Sequence, residues 1–228
     1  MALKPIFSPD EAVQDIFDGA VVMVSGFAIA GAPQELIKAL IRHGAKDLTT
    51  ISNNAHGRRP WLYDVAKLVN AGLLKKCITS FPVPPRTSVG SLAEELWQQG
   101  KLEVEIIPQG TLSERIRAAG AGIKAFWVRT GIGTPFEAGK EKRVFDGKEY
   151  LLEYALPADF ALVRAKKADT LGNLVYDKTQ RNYGPVMATA AKITIAEVDE
   201  IVEPGGIDPE SVVTPGVFVD RLVISPLT

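Results

Sequence analysis

Between Gly26 and Ala32 the chain reads Gly-Phe-Ala-Ile-Ala-Gly-Ala, a loop of mostly small residues followed at once by Pro33 and an apolar-periodic segment. Residues of these types do chemistry through their backbone. A loop entering a helix turns N–H groups and the positive helix end toward one point, which can hold a phosphate, a carboxylate or the oxygen of a polarised thioester. A plain strand-to-helix turn that binds nothing has the same local pattern, and both readings stay open. Gly26 and Gly31 have the four-residue gap of a Walker A loop, but Ala32-Pro33 stands where Lys and Ser/Thr belong, so no side chain is present for a β/γ-phosphate or Mg²⁺. There is no G-x-G-x-x-G, and Asp47 precedes the next apolar run instead of ending it, which argues against a dinucleotide fingerprint.

Other side-chain chemistry is sparse. The two histidines are His43, at the end of a helical pattern where it meets the helix dipole, and His56, which reads as a polar loop residue. No Ser or Cys sits in a nucleophile elbow, so a Ser-His-Asp hydrolase is unsupported. Two isolated histidines and one cysteine give no metal-ligand spacing, and no metal is expected. Cys77, in the apolar stretch KKCITSF, reads as a buried structural thiol without a disulfide partner in the chain.

The elements that must position such a loop are those of an α/β fold. Asp18-Gly19 is a turn, Val21 to Val24 an apolar run suited to a strand buried on both faces, and Pro33 the expected first residue of a helix carrying Leu36, Ile37, Leu40 and Ile41, stopped by Gly44. Further apolar runs at Leu48 to Ile51, Lys76 to Ser80 and Val104 to Ile107 alternate with helical stretches at 33–43, 61–71, 91–99 and 111–119. This alternation predicts an open, largely parallel sheet with helices on both faces. Residues 137–156 differ: short strands around Asp146-Gly147 predict a small antiparallel insertion. The whole chain, 1–228, reads as a single domain without repeats or linkers.

With 46% hydrophobic and 23% charged residues and a net charge of −1, the composition is globular and gives no pull toward nucleic acid or an anionic membrane. No apolar run approaches the roughly 20 residues that span a bilayer, and the first residues carry acids where a secretion signal has an apolar core, so a cytoplasmic location is expected. Arg58-Arg59 and the run Arg164 to Lys167 read most simply as solvated faces, with the phosphates of a ligand as the alternative.

The segment DGAVVMVSGFAIAGAP, Asp18 to Pro33, resembles the first signature of the A subunits of the family I coenzyme A transferases. The resemblance continues through SNNAHG (Ser52 to Gly57), IIPQGTLSERIRAAGAGI (Ile106 to Ile123), TGIGTPFEAGK (Thr130 to Lys140), DFALVRAKKADTLGNLVY (Asp159 to Tyr176) and RNYGPVMATAAK (Arg181 to Lys192). Ser25 replaces the first glycine of the family's Gly-Gly-Phe and Ala28 sits where glycine is common, which makes the loop stiffer and more crowded. Residues 56–72 and the proline-rich stretch after Ser80 also depart from the pattern.

The resemblance implies an enzyme, a CoA-transferase moving CoA from succinyl-CoA to a 3-oxoacid such as 3-oxoadipate or acetoacetate, with a CoA thioester as substrate and no permanently bound cofactor. A glutamate nucleophile on the B subunit would attack the thioester and become a glutamyl-CoA. No surrogate occurs here: Glu94, Glu95, Glu103, Glu105 and Glu114 fall on predicted helix or strand faces. The chain is therefore expected to be inactive alone, to work with a B subunit in an A2B2 assembly, and to contact neither nucleic acid nor membrane. By the same resemblance Gly26, Phe27, Ala28, Ile29, Ala30, Gly31 and Ala32 contact CoA or the acyl thioester, Gln109 projects an amide toward the reacting carboxylate, and Asn53 and Asn54 line the same cleft. Other readings are a family member for another short-chain or ring-cleavage acid, or a non-catalytic subunit that binds acyl-CoA.

Overall fold

The computed structural model describes residues 2–28, 30–55, 57, 61–84 and 90–225. Ile29, His56, Arg58 and Arg59, named above, lie outside them. In chain order the elements are β1 (Ile6–Phe7), α1 (Pro9–Val13), β2 (Val21–Val24), α2 (Gln34–His43), β3 (Leu48–Asn54), α3 (Val65–Asn70), β4 (Leu74–Phe81), α4 (Leu92–Gln98), β5 (Glu103–Ile106) and α5 (Gln109–Gly120). They continue with β6 (Ala125–Val128), β7 (Lys142–Phe145), β8 (Lys148–Tyr154), β9 (Ala158–Asp169), β10 (Leu174–Val175), α6 (Gly184–Ala190), β11 (Ala191–Val202) and β12 (Arg221–Ile224).

The main sheet runs β1-β12-β11-β9-β2-β3-β4-β5, all neighbours parallel, with β10 added antiparallel to β9. Alternate residues of each strand enter two cores. Val22, Val24, Phe160 and Leu162 face one with Leu36, Leu40 and Leu68, whereas Met23, Ala161 and Val163 face the other with Leu112, Ile116 and Met187. Helices α2 and α3 thus cover one face and α5 and α6 the opposite one, as expected for a doubly covered parallel sheet. From the β9-β2 pair, β3 to β5 build outward one way and β11 and β12 the other. In open α/β sheets ligands bind outside the carboxyl ends of the strands at such a reversal. The loop after β2 lies there.

The small antiparallel sheet β6-β8-β7 is the expected insertion. Asp146 (φ 50°) and Gly147 (φ 71°) form its two-residue turn, both in the left-handed region that such hairpins require. Boundaries shift for local reasons. Pro33 (φ −80°, ψ 79°) caps α2 from outside instead of opening it, and α3 begins only after Asp64, whose side chain accepts the Ala66 N–H at 3.0 Å. His43 bonds through Nε2 to the Ile16 carbonyl at 2.8 Å, tying its helix to the chain after α1.

The two longest strands, β9 and β11, were not visible as apolar runs, and Arg164 corrects the reading of residues 164–167 as a solvated face. Arg164 is 2% exposed: its guanidinium pairs with Glu197 at 2.7 Å, with Asp199, and with the Ser225 carbonyl at 2.9 Å. Lys166 does stay at the surface, paired with Asp199 at 3.1 Å. A charge on a central strand is tolerated because its neighbour strand supplies the carboxylates in register, Arg164 lying opposite Glu197. Removing one partner of such a buried pair costs about 3–5 kcal/mol. Arg164→Met is therefore expected to lower the urea midpoint by that free energy, and adding Glu197→Gln to recover part of it.

Candidate active site

The β2 loop is closed on itself. Ser25, buried, donates its hydroxyl to the Gly31 carbonyl at 2.7 Å and accepts the Arg164 N–H at 3.0 Å. The serine that departs from the family glycine is thus the clasp that joins the two ends of the loop and ties them to β9. Phe27 and Ala30 exchange both backbone hydrogen bonds, at 2.9 and 3.0 Å, which draws the chain together tightly between them. Ala28 sits there at φ 55°, a conformation glycine adopts without steric cost and alanine does not. Gly31 (φ 78°) admits no side chain, since a Cβ there would lie 2.6 Å from the Gln180 carbonyl oxygen.

In this geometry four of the loop's N–H groups are taken within the protein. The Gly26 N–H donates to Asn182 Oδ1 at 3.2 Å, the Ala28 N–H to Asn54 Oδ1 at 3.2 Å, and those of Phe27 and Ala30 to each other's carbonyls. The positive end of α2 is likewise taken, because the Leu36 N–H donates to Glu197 Oε2 at 3.0 Å. Burial raises the Glu197 carboxyl above the usual carboxylate range, opposed by that N–H and by the Arg164 guanidinium. The helix dipole is answered by a protein carboxylate.

Side-chain amides take over the polar role. Gln109 is the first residue of α5, not part of a strand-end turn, and its Nε2 donates to Asn53 Oδ1 at 2.6 Å. Asn53 and Asn54 end β3, both buried, and Asn54 holds the turn through Ala28. Gln109 shares a cavity of about 380 Å³ with Phe27, Gly110, Ser113, Asn182, Tyr183 and Val186. A larger cavity of about 790 Å³ adjoins across Phe27 and Asn182 and is lined also by Ala30, Lys178, Thr179 and Arg181. Gln109, Asn53, Asn54 and the Phe27 turn are therefore brought together, whereas Gly31 and Ala32 face a separate cavity toward Arg164 and Asp199.

Asn182 is the residue whose importance the sequence left unread. Its Oδ1 also accepts the Tyr183 N–H at 2.6 Å, and its Nδ2 donates to the carbonyls of Ala30 (3.1 Å), Thr179 (2.8 Å) and Gln180 (3.1 Å). Its partners in the loop lie 152 and 156 positions away, so only the RNYG segment itself could have pointed to it. Burial pushes the Tyr183 hydroxyl up to about 12 and the Cys77 thiol to about 11, which leaves both neutral at physiological pH. Among the described residues no group of three His, Cys, Asp or Glu is placed to hold a metal ion.

A family model described as Coenzyme A transferase matches residues 6–225. The chain belongs to the coenzyme A transferase family. Among relatives of this CoA-transferase chain, the A subunit of 3-oxoadipate CoA-transferase from Pseudomonas putida is 52% identical over 98% of this chain and 94% of its own length. The A subunit of a probable succinyl-CoA:3-ketoacid coenzyme A transferase from Bacillus subtilis is 44% identical over 97% and 90%. A solved acyl-CoA transferase from Escherichia coli O157:H7, in a thioester complex with CoA, superposes with a TM-score of 0.82 at 27% identity. That match covers 98% of the CoA-transferase chain but 47% of the E. coli chain, so the present chain spans about half the length of that relative.

Two replacements probe the loop and its floor. Ser25→Ala leaves the buried Gly31 carbonyl and Arg164 N–H without their partner, and is expected to cost about 1–3 kcal/mol in chemical denaturation. Beneath the loop, burial pushes the Asp64 carboxyl from 3.8 up to about 6. Because the folded chain holds this proton more tightly than the unfolded one, the contribution is full below pH 3.8 and is lost as pH rises through 6. Asp64→Asn keeps the helix cap, so it should be up to about 3 kcal/mol more stable than the parent at pH 7.5, with the gap closing toward pH 4.

Proposed function

We propose that this chain is the A subunit of a 3-oxoacid CoA-transferase, transferring CoA from succinyl-CoA to a 3-oxoacid, 3-oxoadipate or acetoacetate, in the cytoplasm. In this reading residues 1–228 form one domain, a B subunit completes the active site in an A2B2 assembly, and CoA enters as a thioester substrate. The names of the relatives from P. putida and B. subtilis support the reaction class. The observation that carries the site is the Gln109–Asn53 amide pair, whose Gln109 lines a cavity beside Phe27 in which none of the described lining residues is a carboxylate.

The chemistry explains that pairing. A glutamate on the partner attacks the thioester carbonyl, the carbon–sulfur bond breaks, and an acyl anhydride and CoA thiolate result. The thiolate then attacks the glutamyl carbonyl, giving the glutamyl thioester and free succinate; the acceptor carboxylate reverses the sequence. Each addition develops an oxyanion, and a fixed amide N–H aimed at it is worth about 2.7–4 kcal/mol. Gln109 is the donor on this chain. Its orientation is set by Asn53, and its backbone carbonyl by the Tyr183 hydroxyl at 3.4 Å. A neutral lining also keeps the partner's carboxylate from meeting a like charge when it enters.

Co-expression with the B subunit, followed by assay of succinyl-CoA with each acceptor, tests this. Turnover is expected only from the pair. Gln109→Ala should reduce kcat roughly 10²- to 10³-fold while the complex still assembles. A stable pair that turns over neither acceptor, or a Gln109→Ala pair with undiminished kcat, would overturn the reading.

A further inference from the structure

The larger cavity is asymmetric in charge. One wall is the Phe27–Ala30 turn; the other is the 3-10 turn Lys178–Arg181, which contributes two cations and no acid. Asp177, the nearest acid along the chain, lines the neighbouring cavity with Arg164 and Asp199, a cavity that Lys178 also borders but Arg181 does not. Lys178 and Arg181 are both exposed, unlike the buried or half-buried Arg164, Arg115 and Lys76, which are answered by carboxylates. Among the described residues no ion pair engages Lys178 or Arg181.

The position of these cations is fixed relative to the amide pair. Asn182, adjacent to Arg181, bonds the 3-10 turn through the Thr179 and Gln180 carbonyls and the Phe27 turn through Gly26 and Ala30, and it also lines the cavity that holds Gln109. Arg181 is thus one residue from the reacting pocket. A short diacid, whose two carboxyl carbons lie about 6 Å apart across five bonds, can reach from one cavity into the adjoining one. The phosphates of CoA lie farther out, about 16 Å from the sulfur along a pantetheine arm of some thirteen bonds.

We propose that Arg181, assisted by Lys178, binds the distal carboxylate of a dicarboxylic acyl acceptor and so selects 3-oxoadipate over acetoacetate. The proposal rests on the CoA-transfer reading and deepens it. A guanidinium presents paired N–H donors that match a carboxylate, and an acceptor ending in a methyl group leaves them unanswered.

The test uses the assembled complex with its B subunit. Acceptor kcat/KM in a ping-pong transfer reports the second half-reaction alone, so it is measured for 3-oxoadipate and for acetoacetate with the parent, Arg181→Met, Arg181→Lys and Lys178→Met. The parent should prefer 3-oxoadipate. Arg181→Met should lose roughly ten- to hundredfold with 3-oxoadipate, mainly through KM, and little with acetoacetate, with Arg181→Lys between them. An unchanged acceptor ratio overturns the proposal, as does a parent with no preference for the diacid. Equal losses with both acceptors, accompanied by weaker inhibition by free CoA, would assign the cations to CoA phosphates and also overturn it. After succinyl-CoA treatment of the parent complex, a CoA adduct on the partner glutamate checks the transfer reading separately; without that adduct the reading fails, and this proposal with it.

Discussion

One buried carboxylate holds the architecture of the site together. Glu197 reaches from β11 to the guanidinium of Arg164 on β9 and to the N–H of Leu36 at the start of α2. Two central strands and the helix behind the β2 loop meet at this side chain. A carboxylate in such a place is stabilised only while both the cation and the helix N–H groups remain. The loop before α2 is therefore stretched between fixed ends: Ser25 on β9 and the helix start on Glu197.

With the ends fixed, the loop has few conformations left, and it spends four of its N–H groups on internal bonds. Phe27 and Ala30 pair with each other, while Asn182 and Asn54 take those of Gly26 and Ala28. Beside the loop the amides of Gln109 and Asn53 are held by one another, at the start of α5 and the end of β3. The loop's contribution becomes one of shape: it presents Phe27 as the wall shared by the two cavities.

Periodicity and turn chemistry made the first half of the fold legible. Four parallel strands and their helices, the stop at Gly44 and the Asp146-Gly147 hairpin all follow from local rules, because each is decided within a few residues. The helix starts were less so: Pro33 and Asp64 act as caps, and a cap is known only from its geometry. The strands β9 and β11 were hidden because their charges break the apolar run, and the pairing that makes Arg164 tolerable comes from another strand.

The sequence by itself determined the family, the alternation of strands and helices, and the presence of Gln109, Asn53 and Asn54 as polar residues beside a small-residue loop. These are properties of residue type and local order, which any chain with this sequence must carry. The tertiary structure decided which groups are free to act. It bonded the N–H groups of Gly26, Phe27, Ala28 and Ala30 within the protein, gave the helix dipole to Glu197, and set Asn182 against residues more than 150 positions away. Hydrogen-bond partners across such separations depend on strand order and register, which local pattern does not encode.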